Sequence, residues 1–99
     1  MITKEVFIDT LKVYKSGVDF LRKMDDEGLD LYETPLARST DALFDAWLNQ
    51  ITNDEGSDLI YWWLFEDTEK ELYDDDQNVI AKLTDEATLY DYMNENGYF

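Results

Sequence analysis

The sequence predicts a mostly α, α+β fold, and three observations carry that prediction. Two long amphipathic patterns fill the first half, a run of large apolar residues follows, and an acidic turn between short β-prone segments precedes a last helical pattern. The order is two long N-terminal helices, a short aromatic segment, a β-hairpin and a C-terminal helix. At 99 residues, with 44% hydrophobic and 15% aromatic content, the chain is expected to form a single domain, residues 1–99, around one core.

Residues 3–25 read as the first helix. Thr3 is a suitable N-cap, and Phe7, Leu11, Tyr14, Val18 and Leu21 recur at alternating steps of four and three. Gly28, in "DDEG", is the candidate C′ residue that ends it. Pro35, the only proline, suits a first helical turn because its missing N–H costs least there, and Thr34 precedes it as a cap. Leu36, Leu43, Phe44, Trp47 and Ile51 are the expected buried face of this second helix, out to about residue 52. "TNDEGS" reads as a turn or loop.

"DLIYWWLF" suits either a buried strand or a short helix, which periodicity alone does not separate. The steps of Leu59, Trp62, Trp63 and Glu66 favour a helix, with Ser57 or Asp58 as its cap. "KELYDDDQNVIAKL" reads as two short strands around an acidic turn. Thr84 is then the expected cap of a last helix that contains Leu89, Tyr92 and Met93 and ends near "NENG".

Charge is the outlier of the composition. Twenty-four acids against eight bases leave a formal net charge of −16, unevenly placed: residues 1–52 carry net −4 and residues 53–99 net −12. Such a field repels nucleic acid and anionic membranes and attracts basic surfaces at long range. Direct DNA or RNA binding is excluded as a reading, since phosphate affinity needs Lys and Arg. The aromatic content separates the chain from a disordered acidic tail. With no cysteine and no histidine, disulfides, thiolate metal sites and the usual general base are all missing. The N-terminal stretch lacks an apolar signal-peptide core and no apolar run approaches a membrane span, so a cytoplasmic protein is expected.

The acids concentrate beside the aromatic segment. Glu66, Asp67, Glu69, Glu71, Asp74, Asp75 and Asp76 place seven carboxylates in eleven positions, directly after Trp62 and Trp63. On one face of a strand, alternate residues are about 6.6 Å apart, where two charges in water repel by roughly 0.6 kcal/mol. A basic partner relieves that repulsion on binding. Solubility alone calls for a net charge of only about 2–8 in a small domain, so a basic partner stands beside solubility or adaptation to high salt as a reading of the excess. An exposed aromatic ring among carboxylates also suits arginine, which stacks on the ring while pairing with an acid. The expected partner-binding residues are therefore these seven acids with Trp62, Trp63 and Tyr73. One of the two tryptophans is expected at the edge of the core.

Other chemistries fit less well. Asp74, Asp76 and Asn78 occupy positions 1, 3 and 5 of a calcium loop and Asp85 position 12, but Val79 stands where the sharp turn needs glycine, and no metal site is assigned. The four glycines, at 17, 28, 56 and 97, form no phosphate cradle. Nothing indicates a cleft with two carboxylates of separated pKa, so no catalytic residues and no cofactor are assigned.

The stretch "DLIYWWLFED", between an acidic turn and an acidic hairpin, resembles small acidic proteins encoded by bacteriophages. Some groups of these act as DNA mimics or as inhibitors of host defence and nucleic-acid machinery. The resemblance covers about ten residues and the overall character, and it transfers no residue roles. It implies a non-enzymatic inhibitor that blocks a basic nucleic-acid-binding protein or defence complex by mimicking DNA charge. The alternative is a protein-interaction module whose specificity lies in a Trp/Tyr surface, with the charge serving solubility. Monomer and homodimer both remain open.

Overall fold

Thr3 accepts a hydrogen bond from the Val6 amide and starts helix α1, Lys4–Asp26, as its cap. The computed structural model describes residues 2–65 and 70–99. α1 ends at Gly28, whose φ of 89° only glycine adopts without strain. There the Gly28 amide donates to the Asp25 carbonyl and the Leu29 amide to the Met24 carbonyl, the Schellman pattern that satisfies the last carbonyls of a helix. Thr34 accepts from the Ala37 amide and Pro35 opens α2, Pro35–Ile51.

The aromatic segment is helical. α3 runs Asp54–Phe65 and starts earlier than the sequence suggests, so "TNDEGS" is in large part the first turn of a helix rather than a loop. Asn53 supplies the cap in place of Ser57 or Asp58, with its Oδ1 accepting from the Gly56 amide at 2.9 Å. Asp54 and Glu55 then sit where the helix dipole favours negative charge. Glycine is required at 56, since a Cβ there would lie 1.9 Å from Thr52 Oγ1. This close approach lets α3 turn back immediately after α2.

β1, Glu71–Tyr73, pairs antiparallel with β2, Val79–Lys82, as the sequence predicts. Glu71 faces Lys82, Leu72 faces Ala81 and Tyr73 faces Val79, so Ile80 is left over as a bulge. α4, Glu86–Glu95, is capped by Asp85 rather than Thr84. The Asp85 carboxylate accepts from the Thr88 amide, and the Thr88 hydroxyl accepts from the Asp85 amide.

One cluster forms the core. Phe7, Leu11, Tyr14 and Val18 from α1, Phe44 and Leu48 from α2, Ile60, Trp63 and Leu64 from α3, and Leu89, Tyr90 and Met93 from α4 are buried together, and Leu83 after β2 closes it. Phe7 is its centre, with the rings of Trp47, Tyr90 and Phe99 around it at centroid distances of 5.4–6.2 Å. Backbone contact between helices is most extensive for α1 with α4, followed by α2 with α3. α1 and α2 meet instead through side chains, with Tyr14 stacked on Phe44 at 3.8 Å.

Leu36 and Leu43 depart from expectation, being 78% and 74% exposed rather than buried. The apolar residues of α2 form two stripes. At about 100° per residue, Leu36, Leu43 and Trp47 lie roughly 80–100° around the helix from Ala37, Phe44, Leu48 and Ile51. Of the first stripe only Trp47 reaches the core, half-buried against Phe7 and Phe44, whereas Ala37, Phe44 and Leu48 of the second are buried.

Candidate binding site

The two adjacent tryptophans have different roles. Trp63 is 1% exposed, and its indole Nε1–H donates to the Leu83 carbonyl at 2.7 Å. Lys70 Nζ stands 3.9 Å, and Lys15 Nζ 5.2 Å, from the centre of a Trp63 ring. Trp63 thus fastens the hairpin to the helical core and is not a surface contact, contrary to its place among the expected partner-binding residues. Trp62 packs half-buried at the edge of the core, where one tryptophan was expected. Near it on α3, Tyr61 stacks with Phe65, which is 45% exposed, and Arg22 lies over the Phe65 ring at 5.5 Å.

Of the seven expected acids, Glu66, Asp67 and Glu69 lie outside the described residues. Asp74, Asp75 and Asp76 come together at the tip of the hairpin, the last two exposed. Asp74 is structural, because its Oδ1 accepts from the amides of Asp76 and Asn78, both at 2.9 Å. This Asx arrangement shapes the turn, which passes through Gln77 at φ 65°. Glu71 is turned inward, with its side chain 14% exposed, accepting from the Tyr73 hydroxyl at 2.9 Å and lying 3.8 Å from Lys82 Nζ. It belongs to the hairpin's own stabilisation more than to an outer acidic face. Tyr73 is 54% exposed. Among the described residues, no three acidic side chains are arranged to hold a metal ion.

The carboxylates as a set are a surface property. Of the 21 described acids (24 less the three above), 18 are exposed and Glu71, Asp74 and Glu86 are half-buried, so none is part of the core. They are spread over all four helices, the α1–α2 link and the hairpin turn rather than confined to residues 66–76. Six of the eight bases make contacts within the chain, although five of the eight are exposed. Lys4 pairs with Asp91 at 2.9 Å, Arg38 with Glu33 and Lys82 with Glu71, while Lys15, Lys70 and Arg22 cover aromatic rings.

A second surface was not anticipated from the sequence. Between α1 and α2, lined in part by Tyr14 and Phe44, is an open groove of about 860 Å³. Val13, Gly17 and Phe20 form one wall and Leu36, Thr40 and Leu43 the other. Val13 is 75% and Phe20 55% exposed. Two acids, Asp9 and Asp41, line the groove, and no Lys or Arg is among the described residues that do. Asp41 accepts from the Tyr14 hydroxyl at 2.5 Å, and one turn along α2 Asp45 accepts from the Tyr61 hydroxyl at 3.4 Å. Burial first, and then the neighbouring carboxylate, pushes both tyrosines above the ordinary phenol range, so they remain neutral donors. The signal for this surface was a second stripe: Val13 and Phe20 lie seven residues apart in α1, as do Leu36 and Leu43 in α2.

Among the described residues, no helix is long and apolar enough to cross a membrane. No family model, no curated protein and no solved structure matches the chain.

Proposed function

We propose that the chain is a non-enzymatic acidic binding protein of phage type. It acts in the cytoplasm of a bacterial host, where it occupies the basic surface with which a host protein or defence complex holds nucleic acid. One observation carries this reading: carboxylates are exposed on every helix and at the hairpin tip, while six of the eight bases are engaged inside the chain by ion pairs or aromatic rings. The partner therefore meets a surface on which 18 exposed carboxylates outnumber five exposed bases. Carboxylates stand in for phosphates, steer association and make it sensitive to ionic strength.

The hairpin tip is the natural place to test it. Asn at 74, 75 and 76 removes three charges yet keeps an oxygen at 74 to accept the two turn amides, so the fold is retained. Pull-down from a bacterial lysate at low and high salt should capture nucleic-acid-binding proteins at low salt only. Capture should fall severalfold for the Asp74→Asn, Asp75→Asn, Asp76→Asn variant. Capture of other proteins, or capture indifferent to salt, sinks the reading.

A second reading is favoured by the apolar walls of the α1–α2 groove, which make an interaction module driven by apolar contact. Under it the triple Asn variant binds normally, whereas Leu36→Ser with Leu43→Ser does not.

A further inference from the structure

We infer that the α1–α2 groove is a docking site for an amphipathic helix of a partner protein, with an aliphatic stripe flanked by Lys or Arg. The inference rests on the proposed function only for the sign of the partner's charge. The helical form of the occupant follows from the groove itself.

Each wall presents two apolar side chains seven residues apart, Val13 and Phe20 on α1 with Gly17 between them, and Leu36 and Leu43 on α2 with Thr40 between them. That step of seven matches the anchors by which a helix seats in a groove formed by two others. The lining on α1 runs from Asp9 to Leu21, which at 1.5 Å per residue is about 18 Å, room for roughly three turns of a bound helix. Gly17 in the middle of its wall leaves space, since a Cβ placed there has nothing within 4 Å. A small molecule fits the shape less well. Val13, Leu36 and Leu43 are each about three-quarters exposed, so whatever covers them must be broader than the groove floor. A small ligand at the bottom would leave those walls in water.

Charge selects among helical occupants. Asp9 and Asp41 contribute two carboxylates to the groove and no base lines it among the described residues. A second copy of this chain would bring another net charge of −16 to the same place. Repulsion of that size opposes a homodimer through this face and favours a helix edged with cations.

The probe is a fluorescently labelled 14-residue Leu/Lys peptide with leucines at helical spacing. Its control is a peptide of the same composition scrambled to break that spacing, which measures attraction to net charge alone. Anisotropy titrations should show the patterned peptide binding at least tenfold more tightly than the scrambled one. Val13→Ser with Leu43→Ser should remove at least tenfold of that affinity, with the circular dichroism spectrum unchanged because both positions are exposed. Gly17→Leu, which fills the groove without touching the core, should do the same. The triple Asn variant of the hairpin should retain the patterned-over-scrambled preference, so failure of the groove and failure of charge mimicry read out separately. Equal binding of the two peptides overturns the inference, as does full affinity in both groove variants. A wild-type dimer by sedimentation that dissociates in the Leu43→Ser chain overturns it as well, since the occupant is then a second copy.

Discussion

Replacing Trp63 by Phe tests how the acidic hairpin is held to the core. The change removes the indole N–H that reaches the Leu83 carbonyl at 2.7 Å, in a position 1% exposed, where water does not readily take its place. Leaving a buried carbonyl without its donor costs about 1–3 kcal/mol. The smaller ring leaves a void of roughly 40 Å³, which at about 24 cal/mol per Å³ adds about 1 kcal/mol. Together these give about 2–4 kcal/mol out of the roughly 5–15 kcal/mol that stabilises a domain of ordinary stability. Urea unfolding followed by far-UV circular dichroism reads this as a midpoint lowered by roughly 0.7–4 M, for a typical slope of about 1–3 kcal/mol per M. Trp62→Phe, at the half-buried edge of the core, is the comparison and should cost about 1 kcal/mol or less. If Trp62→Phe lowers the midpoint as much as Trp63→Phe, the assignment of Trp63 as the buried peg is wrong.

Four further outcomes follow from local geometry. Gly17→Ala should raise stability by about 0.5–1 kcal/mol, because the position is mid-helix, has no positive φ and leaves space for a methyl group; an unchanged or lowered melting temperature contradicts this. Gln77→Gly should stabilise the hairpin by up to about 1 kcal/mol, since a non-glycine residue at φ 65° carries a steric cost, and thermal melts of the two chains decide it. Asp85→Ala should cost about 1 kcal/mol at neutral pH through loss of the α4 cap. The backbone and side chain of Thr88 hold the Asp85 carboxyl below the ordinary aspartate range, so its contribution is present above that range and is lost as pH falls through the depressed folded value; the gap between wild type and variant in urea should narrow at low pH. Tyr14 and Tyr61 have folded values raised above 10.0, so the stability they contribute is complete below about pH 10 and is lost as pH rises beyond it. Urea midpoints measured from pH 8 upward should therefore fall above about pH 10, and more gently in Tyr14→Phe; parallel curves for the two chains refute the assignment.

Much of the fold was legible because local chemistry and tertiary packing agree. Thr3, Gly28, Thr34 and Pro35 bound α1 and α2 by capping rules that need no knowledge of neighbours. The departures have a common origin in what surrounds a segment. "TNDEGS" looks like a loop because it is polar and contains glycine. Yet Asn53 caps it, and Gly56 is there for its close approach to Thr52, which only the fold reveals. Thr84 and Asp85 are both good caps, and the reciprocal bond with Thr88 selects Asp85.

The binding surfaces were half legible. Charge is additive along a sequence, so an acidic surface could be read from composition. Which acids are structural could not, since Glu71 turns toward Lys82 and Asp74 shapes its own turn. The Trp–Trp pair reads as one feature, but successive residues on a helix point about 100° apart. That angle sends Trp63 into the core and leaves Trp62 at its edge. The α1–α2 groove was hidden for a related reason. Each helix carries two apolar stripes, and sequence periodicity does not say which of them the fold covers.

If the acidic surface competes with nucleic acid for a basic partner, DNA itself must displace the chain. Immobilised chain is loaded from a nuclease-treated bacterial lysate at low salt, and short duplex DNA is then added at increasing concentration. The captured proteins should be nucleic-acid-binding, and DNA should release them in proportion to its concentration, as salt does. Captured proteins that stay bound in saturating DNA, forming a complex with DNA and this chain together, would contradict competition for one surface.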